Sequence, residues 1–410
     1  MIVIGLISGT SVDAIDAAAA HFEQDGDTLV LRPLGHREYA WPAETRRRVL
    51  ASLPPAPVTM GEVCALDGLI GEAFAAVAVE AARDLADGAA GLVCSHGQNV
   101  FHLIEDGRAR ATLQLGQPAL IAEATGLPVI SDLRARDVAA GGQGAPLAST
   151  LDALWLAGDD GPRAALNLGG IANITVVGRA GEPVFAFDTG PASCLLDLTA
   201  ARLTDGALAF DRNGEMALRG QVDAELLARL RDDPYYRRSP PKSTGRELFD
   251  TAYVQRRLEG MSDVSGVDLM ATLTELSAST VAEACLRHGV CEVVASGGGV
   301  RNPALMAALR RRLDPIRLVT AEQRGLPSEA KEAYLFALLG WLTWHGLPGT
   351  VLGATGARGP RILGRVSPGA EAIALPEPAT MPRRLVIRAA KRSDAAAIIV
   401  EAPSWRRARR

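Results

Sequence analysis

Cysteine is too sparse and too scattered to organise this chain. The five, Cys64, Cys94, Cys194, Cys285 and Cys291, are odd in number and lack CxxC spacing. That argues against a disulfide framework and a zinc site, and it fits a reducing, cytoplasmic setting. No apolar run approaches the ~18 residues that a membrane-spanning helix needs. The start has no basic leader region, and its apolar stretch is too short for a signal peptide. An excess of either charge is missing too. A net charge of −4 gives nucleic acid or acidic membranes nothing to be drawn to. The remainder is an ordinary globular composition, 48% apolar and 22% charged over 410 residues. That suffices for two domains or one large two-lobed unit.

The pattern along the chain alternates strands and helices. IVIGLI (2–7) reads as a buried strand running into Ser8-Gly9-Thr10-Ser11-Val12-Asp13-Ala14-Ile15-Asp16, and residues 28–40 as a further strand. Residues 60–86 form an Ala-rich helix, 91–98 a buried strand, 117–126 a helix closed by Gly126, and 127–133 the next strand. Such alternation argues for an α/β fold with partly parallel sheets. A second unit then opens in the same style. ALNLGGIANITVVG (165–178) is strand, small-residue turn, strand, and VFAFDTGPASCLLD (184–197) is strand, turn, helix. Residues 267–289 and 330–346 read as long helices, and 291–313 as strand, triple-glycine turn, helix.

Each chemical candidate has a plain structural counterpart. The 8–16 turn brings backbone N–H groups near a polyanion because nothing bulky blocks them. Asp13 and Asp16 suit a phosphate carried on Mg²⁺. The same residues also suit a hairpin with solvated carboxylates. Asp188, at a strand end beside Thr189-Gly190-Pro191, is placed for general-base work or for capping the next helix. Gly297-Gly298-Gly299 either lays adenine or ribose against the backbone or simply makes a tight turn. His96 in Ser95-His96-Gly97-Gln98 is either a sugar-hydroxyl partner or a hydrogen-bonded histidine at a strand end. Lys242-Ser243-Thr244-Gly245-Arg246-Glu247 either contacts phosphate or starts a helix, and the capping-box spacing of Thr244 and Glu247 favours the helix start. Arg134, Arg136 and Asp137 either line a cleft or form a solvated ion-pair cluster.

The order of these pieces is more telling than any one of them. Phosphate hairpin, second hairpin, strand–Asp–turn and GGG turn resemble the layout of the actin/hexokinase/Hsp70-like ATPases. Within that group the chain closely resembles the anhydro-N-acetylmuramic acid kinases. The resemblance rests on GLISGTSVDAID (5–16), SHGQ (95–98), LQLGQPALIAEATGLPVISDLRARDVAAGGQGAPL (113–147), LNLGGIANIT (166–175), FDTGP (187–191), KSTGRELFD (242–250), TLTELSA (272–278), SGGGVRNPALM (296–306), GLPSEAKEA (325–333) and TGARGPRILG (355–364). It runs from residue 2 to about residue 369.

The resemblance implies a two-lobed, ribonuclease H-like α/β fold with a nucleotide cleft between the lobes. The first lobe would span 1–135, completed by about 345–372, and the second 136–344. It implies ATP-dependent, Mg²⁺-assisted opening and O6 phosphorylation of 1,6-anhydro-N-acetylmuramic acid in cell-wall recycling. It also implies a cytoplasmic homodimer with no nucleic-acid or membrane partner. Gly9, Thr10, Ser11, Val12, Asp13, Ala14, Ile15 and Asp16 match the ATP phosphate segment, with Asp13 toward the metal. Gly169, Gly170 and Asn173 match the second hairpin, and Gly297, Gly298, Gly299 and Asn302 the adenosine turn. Asp188 matches the catalytic base and Glu332 an acidic active-site residue. His96, Gln98, Arg134, Gln143 and Gly190 fall on the sugar side. The chain departs from the family pattern at Ala14, at Ala192-Ser193 where Gly-Asn is usual, in LASTLDALW after Pro146, and beyond SHGQ. These changes leave open a kinase for a related sugar, or an ATP-binding regulatory protein. Residues 373–410 are a basic extension outside the resemblance, read either as an arm for an anionic polymer or partner or, in preference, as a disordered or loosely packed extension.

Overall fold

The computed structural model describes residues 1–179, 182–240, 242–245 and 247–389. Two mixed sheets carry the fold. The strands are β1 (Ile2–Ser8), β2 (Ala14–Asp25), β3 (Thr28–Ala40), β4 (Leu92–Glu105), β5 (Arg108–Leu115), β6 (Val129–Ser131), β7 (Arg163–Leu168), β8 (Ile171–Val177), β9 (Phe185–Pro191), β10 (Glu292–Ser296), β11 (Arg317–Thr320), β12 (Arg365–Ser367) and β13 (Arg384–Ile387). Sheet 1 runs β12-β6-β4-β1-β2-β3-β13, with β5 paired to β4; sheet 2 runs β11-β10-β7-β8-β9.

The two sheets repeat one plan. In each, three strands form an antiparallel meander, β1-β2-β3 or β7-β8-β9, and two more add in parallel beside the first strand, β4-β6 or β10-β11. Parallel strands need helical crossovers. The chain supplies Met60–Asp84 and Pro118–Thr125 in the first half, and Gly266–Arg287 and Pro303–Leu313 in the second. The resulting fold is two-lobed α/β.

One helix departs from the sequence-based division. Lys331–Trp344, which a boundary at 344 assigns to the second lobe, packs on β1, β2 and β4. Its side chains are apolar nearly all round, which suits burial on both faces. The contact is close because glycines allow it. A Cβ on Gly5 would sit 1.9 Å from the Ala333 carbonyl oxygen, and one on Gly340 2.6 Å from the Cys94 Cβ. The core around this closing helix also takes in Ala165, Val177 and Val294 of sheet 2, so it is wedged between the lobes.

The extension differs from expectation as well. Leu385 is buried in the same core, and β13 adds in parallel to β3, pairing Arg384–Ile387 with Thr28–Leu31. The apolar Leu-Val-Ile run satisfies a sheet edge that would otherwise expose unpaired backbone groups. The remaining basic residues, Lys391 to Arg410, lie outside the described residues, as does Arg246. No helix among the described residues is long and apolar enough to cross a membrane.

Candidate active site

A cleft of about 650 Å³ lies where the lobes meet, within the usual range for small-molecule sites. Of the sequence-predicted residues, Ser11, Gly169, Asn173, Gly297, Gly298 and Glu332 line it. Ser11 comes from the first hairpin, Glu332 from the first turn of the closing helix, Gly169 and Asn173 from the β7–β8 hairpin, and Gly297 and Gly298 from the turn after β10.

The two hairpins differ in what their backbones offer. In the first, Val12 N–H donates to Gly9 O, the Gln98 Nε2 donates to the same oxygen at 3.2 Å, and Thr10 and Ser11 stand exposed at the tip. Val12 is buried with φ +56°, a costly conformation for a β-branched residue and one that collects at functional sites. In the second hairpin the carbonyls are taken by the start of the next helix. Gly169 O accepts from Ser193 N–H, and Gly170 O accepts from Ala192 and Cys194 N–H. The start of helix Ser193–Leu203 is therefore satisfied by the hairpin and has few free N–H groups for phosphate.

Sheet register builds a polar row that the sequence showed only as scattered residues. Ser296 sits beside Asn167, Asn167 opposite Asn173, and Asn173 opposite Asp188. Directly paired residues share a face, so four strands present Ser, Asn, Asn and Asp side by side. Asn173 and Asn167 line the cleft, and Asp188 ends the row beyond the residues that line it. Asn167 was missed in the sequence; its alternation in LNLGG was the available signal.

Asp188 is not a helix cap. The helix after it begins at Ser193, with Ala192 at its N-cap and no side-chain cap. The carboxylate instead accepts the Thr244 N–H at 2.9 Å, while Asp188 N–H donates to Lys242 O and Tyr235 Oη donates to Asp188 O at 2.7 Å. The Lys242–Gly245 segment thus holds Asp188. It caps no helix of its own, since the next one, Thr251–Leu258, is capped by Asp250. Burial pushes the Asp188 carboxyl above its usual range, against the Thr244 N–H, which pulls it down; Glu247 raises it further and Lys242 lowers it.

Opposite stands a second acidic group. The Asp16 carboxyl is pushed up to about 6, first by burial and then by the negative charges of Glu38 and Glu332. Arg134 lies in the field of the same Glu332, and burial lowers its affinity for its proton. Its Nε donates to His96 Nε2 at 2.8 Å. Burial and that guanidinium hold His96 near 3, so the ring is neutral and its proton resides on Nδ1, facing Gly97 O.

Other predicted residues have structural duties. Asn302 caps helix Pro303–Leu313 through Leu305 N–H. Gly297 (φ +86°) and Gly299 lie against Leu168, whereas a Cβ on Gly298 would meet nothing within 4 Å, leaving the open surface on which a ligand could rest. Gln143 uses both ends of its amide on Gly107 O and Ala109 N–H of the β4–β5 hairpin. Gly190 lies on Tyr236, where a Cβ would sit 2.9 Å from Cε1. Asp13 is largely exposed, 3.5 Å from Arg46. Asp13, Asp16, Thr10 and Ser11 all carry oxygen donors, the kind that Mg²⁺ carried on a phosphate takes. Among the described residues no group of three or more His, Cys, Asp or Glu gathers for a metal.

Comparison with known proteins places the sequence in a family. The family model described as anhydro-N-acetylmuramic acid kinase matches residues 1–369. A protein of that name from Streptomyces coelicolor is 55% identical over 94% of this chain and 98% of its own length. One from Rhodococcus erythropolis is 51% identical over 91% and 96%. Among solved structures, the activator of 2-hydroxyisocaproyl-CoA dehydratase from Clostridium difficile is 14% identical with a TM-score of 0.40, covering 83% of this chain and 94% of that one. With a sequence match over nine-tenths of its length, the chain belongs to the anhydro-N-acetylmuramic acid kinase family.

Proposed function

We propose that this sugar kinase acts on 1,6-anhydro-N-acetylmuramic acid, using ATP and water to give N-acetylmuramic acid 6-phosphate and ADP. The observation that carries the reading is the state of Asp188: half-buried, released from capping, and fixed by a backbone N–H on a polar row that leads into the nucleotide cleft.

The chemistry explains why that carboxylate is needed. An anhydro sugar has no free 6-hydroxyl. Water adds at C1 and passes one proton to Asp188. The C1–O6 bond breaks, its electron pair stays on O6, and O6 takes the γ-phosphoryl as the bond to the β-phosphate breaks. General-base help of this kind typically supplies about 10²–10⁴-fold. The geometry parallels inverting glycoside hydrolysis, with phosphoryl transfer replacing the general acid. On the other wall, Glu332 and Arg134 orient the sugar, while the exposed tip Thr10–Ser11 and the open face of Gly298 receive the nucleotide. Asp13 and Asp16 would hold Mg²⁺, which would supply charge neutralisation for the phosphates. The changed turn Ala192-Ser193 contacts the second hairpin through its N–H groups, so the change bears on helix packing more than on the sugar. A cytoplasmic homodimer serving cell-wall recycling completes the proposal.

The test is ADP release by purified protein with Mg²⁺-ATP, offered either the anhydro sugar or N-acetylmuramic acid, whose 6-hydroxyl is free. Release with the anhydro sugar alone supports the reading. Release only with the free sugar makes the protein an ordinary hydroxyl kinase. Tight ATP binding with neither sugar turned over makes it a regulatory relative.

A further inference from the structure

The cleft that must hold a polyanion is lined by Asp152, Glu322, Glu329 and Glu332, against two cations, Arg301 and Lys331. Arg301 is 70% exposed and paired with Glu329 at 3.1 Å. Lys331 is different. It is the first residue of the closing helix, its side chain is 11% exposed, and its Nζ lies 2.7 Å from Asp152 Oδ1 on helix Ala148–Trp155. Asp152 is 4% exposed. The contact is an ion pair without a well-directed hydrogen bond, for no donor is aligned on Oδ1. A buried pair of this kind contributes little net stability on its own. This one also faces a void instead of packed core.

We propose that Lys331 is a phosphate-binding residue of the nucleotide site, held by Asp152 until the nucleotide arrives. Three features point this way. Lys331 shares the cleft lining with Ser11 of the first hairpin and with Gly298 of the adenosine turn. Gly340 meets Val3 and Gly5 meets Ala333, so the closing helix runs antiparallel to β1 and its first residues lie toward the carboxyl end of that strand, where the first hairpin begins. An ammonium on a flexible stem can turn from a carboxylate to a phosphate without backbone movement. The inference rests on the family's use of ATP and not on the identity of the sugar.

The experiment measures binding of ATP, ADP, AMP and adenosine to the full chain by calorimetry, with Mg²⁺ present. Four proteins are compared: wild type, Lys331→Met, Asp152→Asn and the double variant. Lys331→Met leaves Asp152 buried without a partner and can unfold; the double variant removes both charges and keeps the question answerable. ATP affinity is expected to fall at least about tenfold in Lys331→Met and in the double variant, as for loss of a charge-assisted hydrogen bond. The loss should shrink from ATP to AMP and vanish for adenosine. Asp152→Asn should bind ATP at least as tightly as wild type, because it frees the ammonium. Equal losses in Lys331→Met and Asp152→Asn, or an adenosine loss as large as the ATP loss, would make the pair a structural strut and overturn the proposal. Unchanged ATP affinity in the double variant would overturn it as well. If the expected pattern holds while neither sugar is turned over, the sugar reading fails and this inference stands. If wild type binds no ATP, both fail.

Discussion

Asp16 and Asp188 stand on opposite lobes, and both carboxyls are raised above their usual range, but by different forces. Asp16 is raised by burial together with two like charges, Glu38 and Glu332. Asp188 is raised by burial that an N–H bond from Thr244 partly offsets. The contrast separates two environments. A carboxyl crowded by like charges favours a proton, or a cation in its place, whereas one that accepts a backbone N–H is steadied as the anion. The lobes share a strand plan, so the difference comes from what packs beside each strand: the closing helix with Glu332 on one side, the Lys242–Gly245 segment on the other.

The strongest way to break the comparison is Asp188→Asn. The amide can keep the Thr244 hydrogen bond, so folding and ATP affinity should hold while turnover falls at least about 100-fold. In the wild type, a base with a raised pKa must be deprotonated to act. Turnover should therefore fall as pH drops through that raised value, and the pH–rate profile would show its acid limb above the range of an ordinary aspartate.

Next is Gly5→Ala, which attacks the other wall. Its Cβ would press on the Ala333 carbonyl oxygen, so the closing helix must shift and carry Glu332 with it. Overpacking of this kind costs roughly 1–3 kcal/mol. Thermal unfolding should show the loss, and turnover should fall more than stability alone explains. A variant with unchanged turnover would uncouple Glu332 from the chemistry.

Removing residues 376–410 is a milder test. It strips β13 from sheet 1 and Leu385 from the core. Burying one such side chain contributes about 1.5–3 kcal/mol. The melting temperature should drop by roughly 2–4 °C, since an unfolding entropy of about 2.1 cal/mol/K per residue gives about 1 °C per kcal/mol for a chain of this size. Turnover at 25 °C should persist, since none of the candidate site residues named above lies there.

The smallest effect on stability is expected from Asp16→Asn; the loss of a proposed Mg²⁺ ligand is read separately, in the Mg²⁺ dependence of turnover. A carboxyl whose folded pKa is raised from 3.8 to about 6 favours the folded state while protonated, below about 3.8. That contribution is lost as pH rises toward 6. The amide should therefore raise the melting temperature slightly at pH 8 and leave it unchanged at pH 3. A drop at pH 8 would show that the charge is stabilising and the account of Asp16 is wrong.

Much of the fold was legible because local chemistry and global packing agree. The apolar run before Ser8, the Gly126 stop and the triple-glycine turn each mark a boundary that the structure keeps. What was hidden depends on long-range register or on packing between distant segments. The polar row needs four strands aligned, and no single stretch shows it. The closing helix is apolar all round, so its pattern could not say which sheet it would cover; Gly5 and Gly340 decide that. Thr244 and Glu247 have capping spacing, yet the Thr244 N–H serves a carboxylate 56 residues away. Lys331 stood in plain view within GLPSEAKEA, but its value rests on Asp152, far away in sequence.

The most direct measurement is the mass of the sugar product formed from 1,6-anhydro-N-acetylmuramic acid and Mg²⁺-ATP. The account predicts a product that has gained both one phosphoryl group and one water, in step with ADP release, and that forms at least about 100-fold more slowly with Asp188→Asn. A product that gains the phosphoryl group without water, or undiminished product from the Asp188→Asn variant, would contradict it.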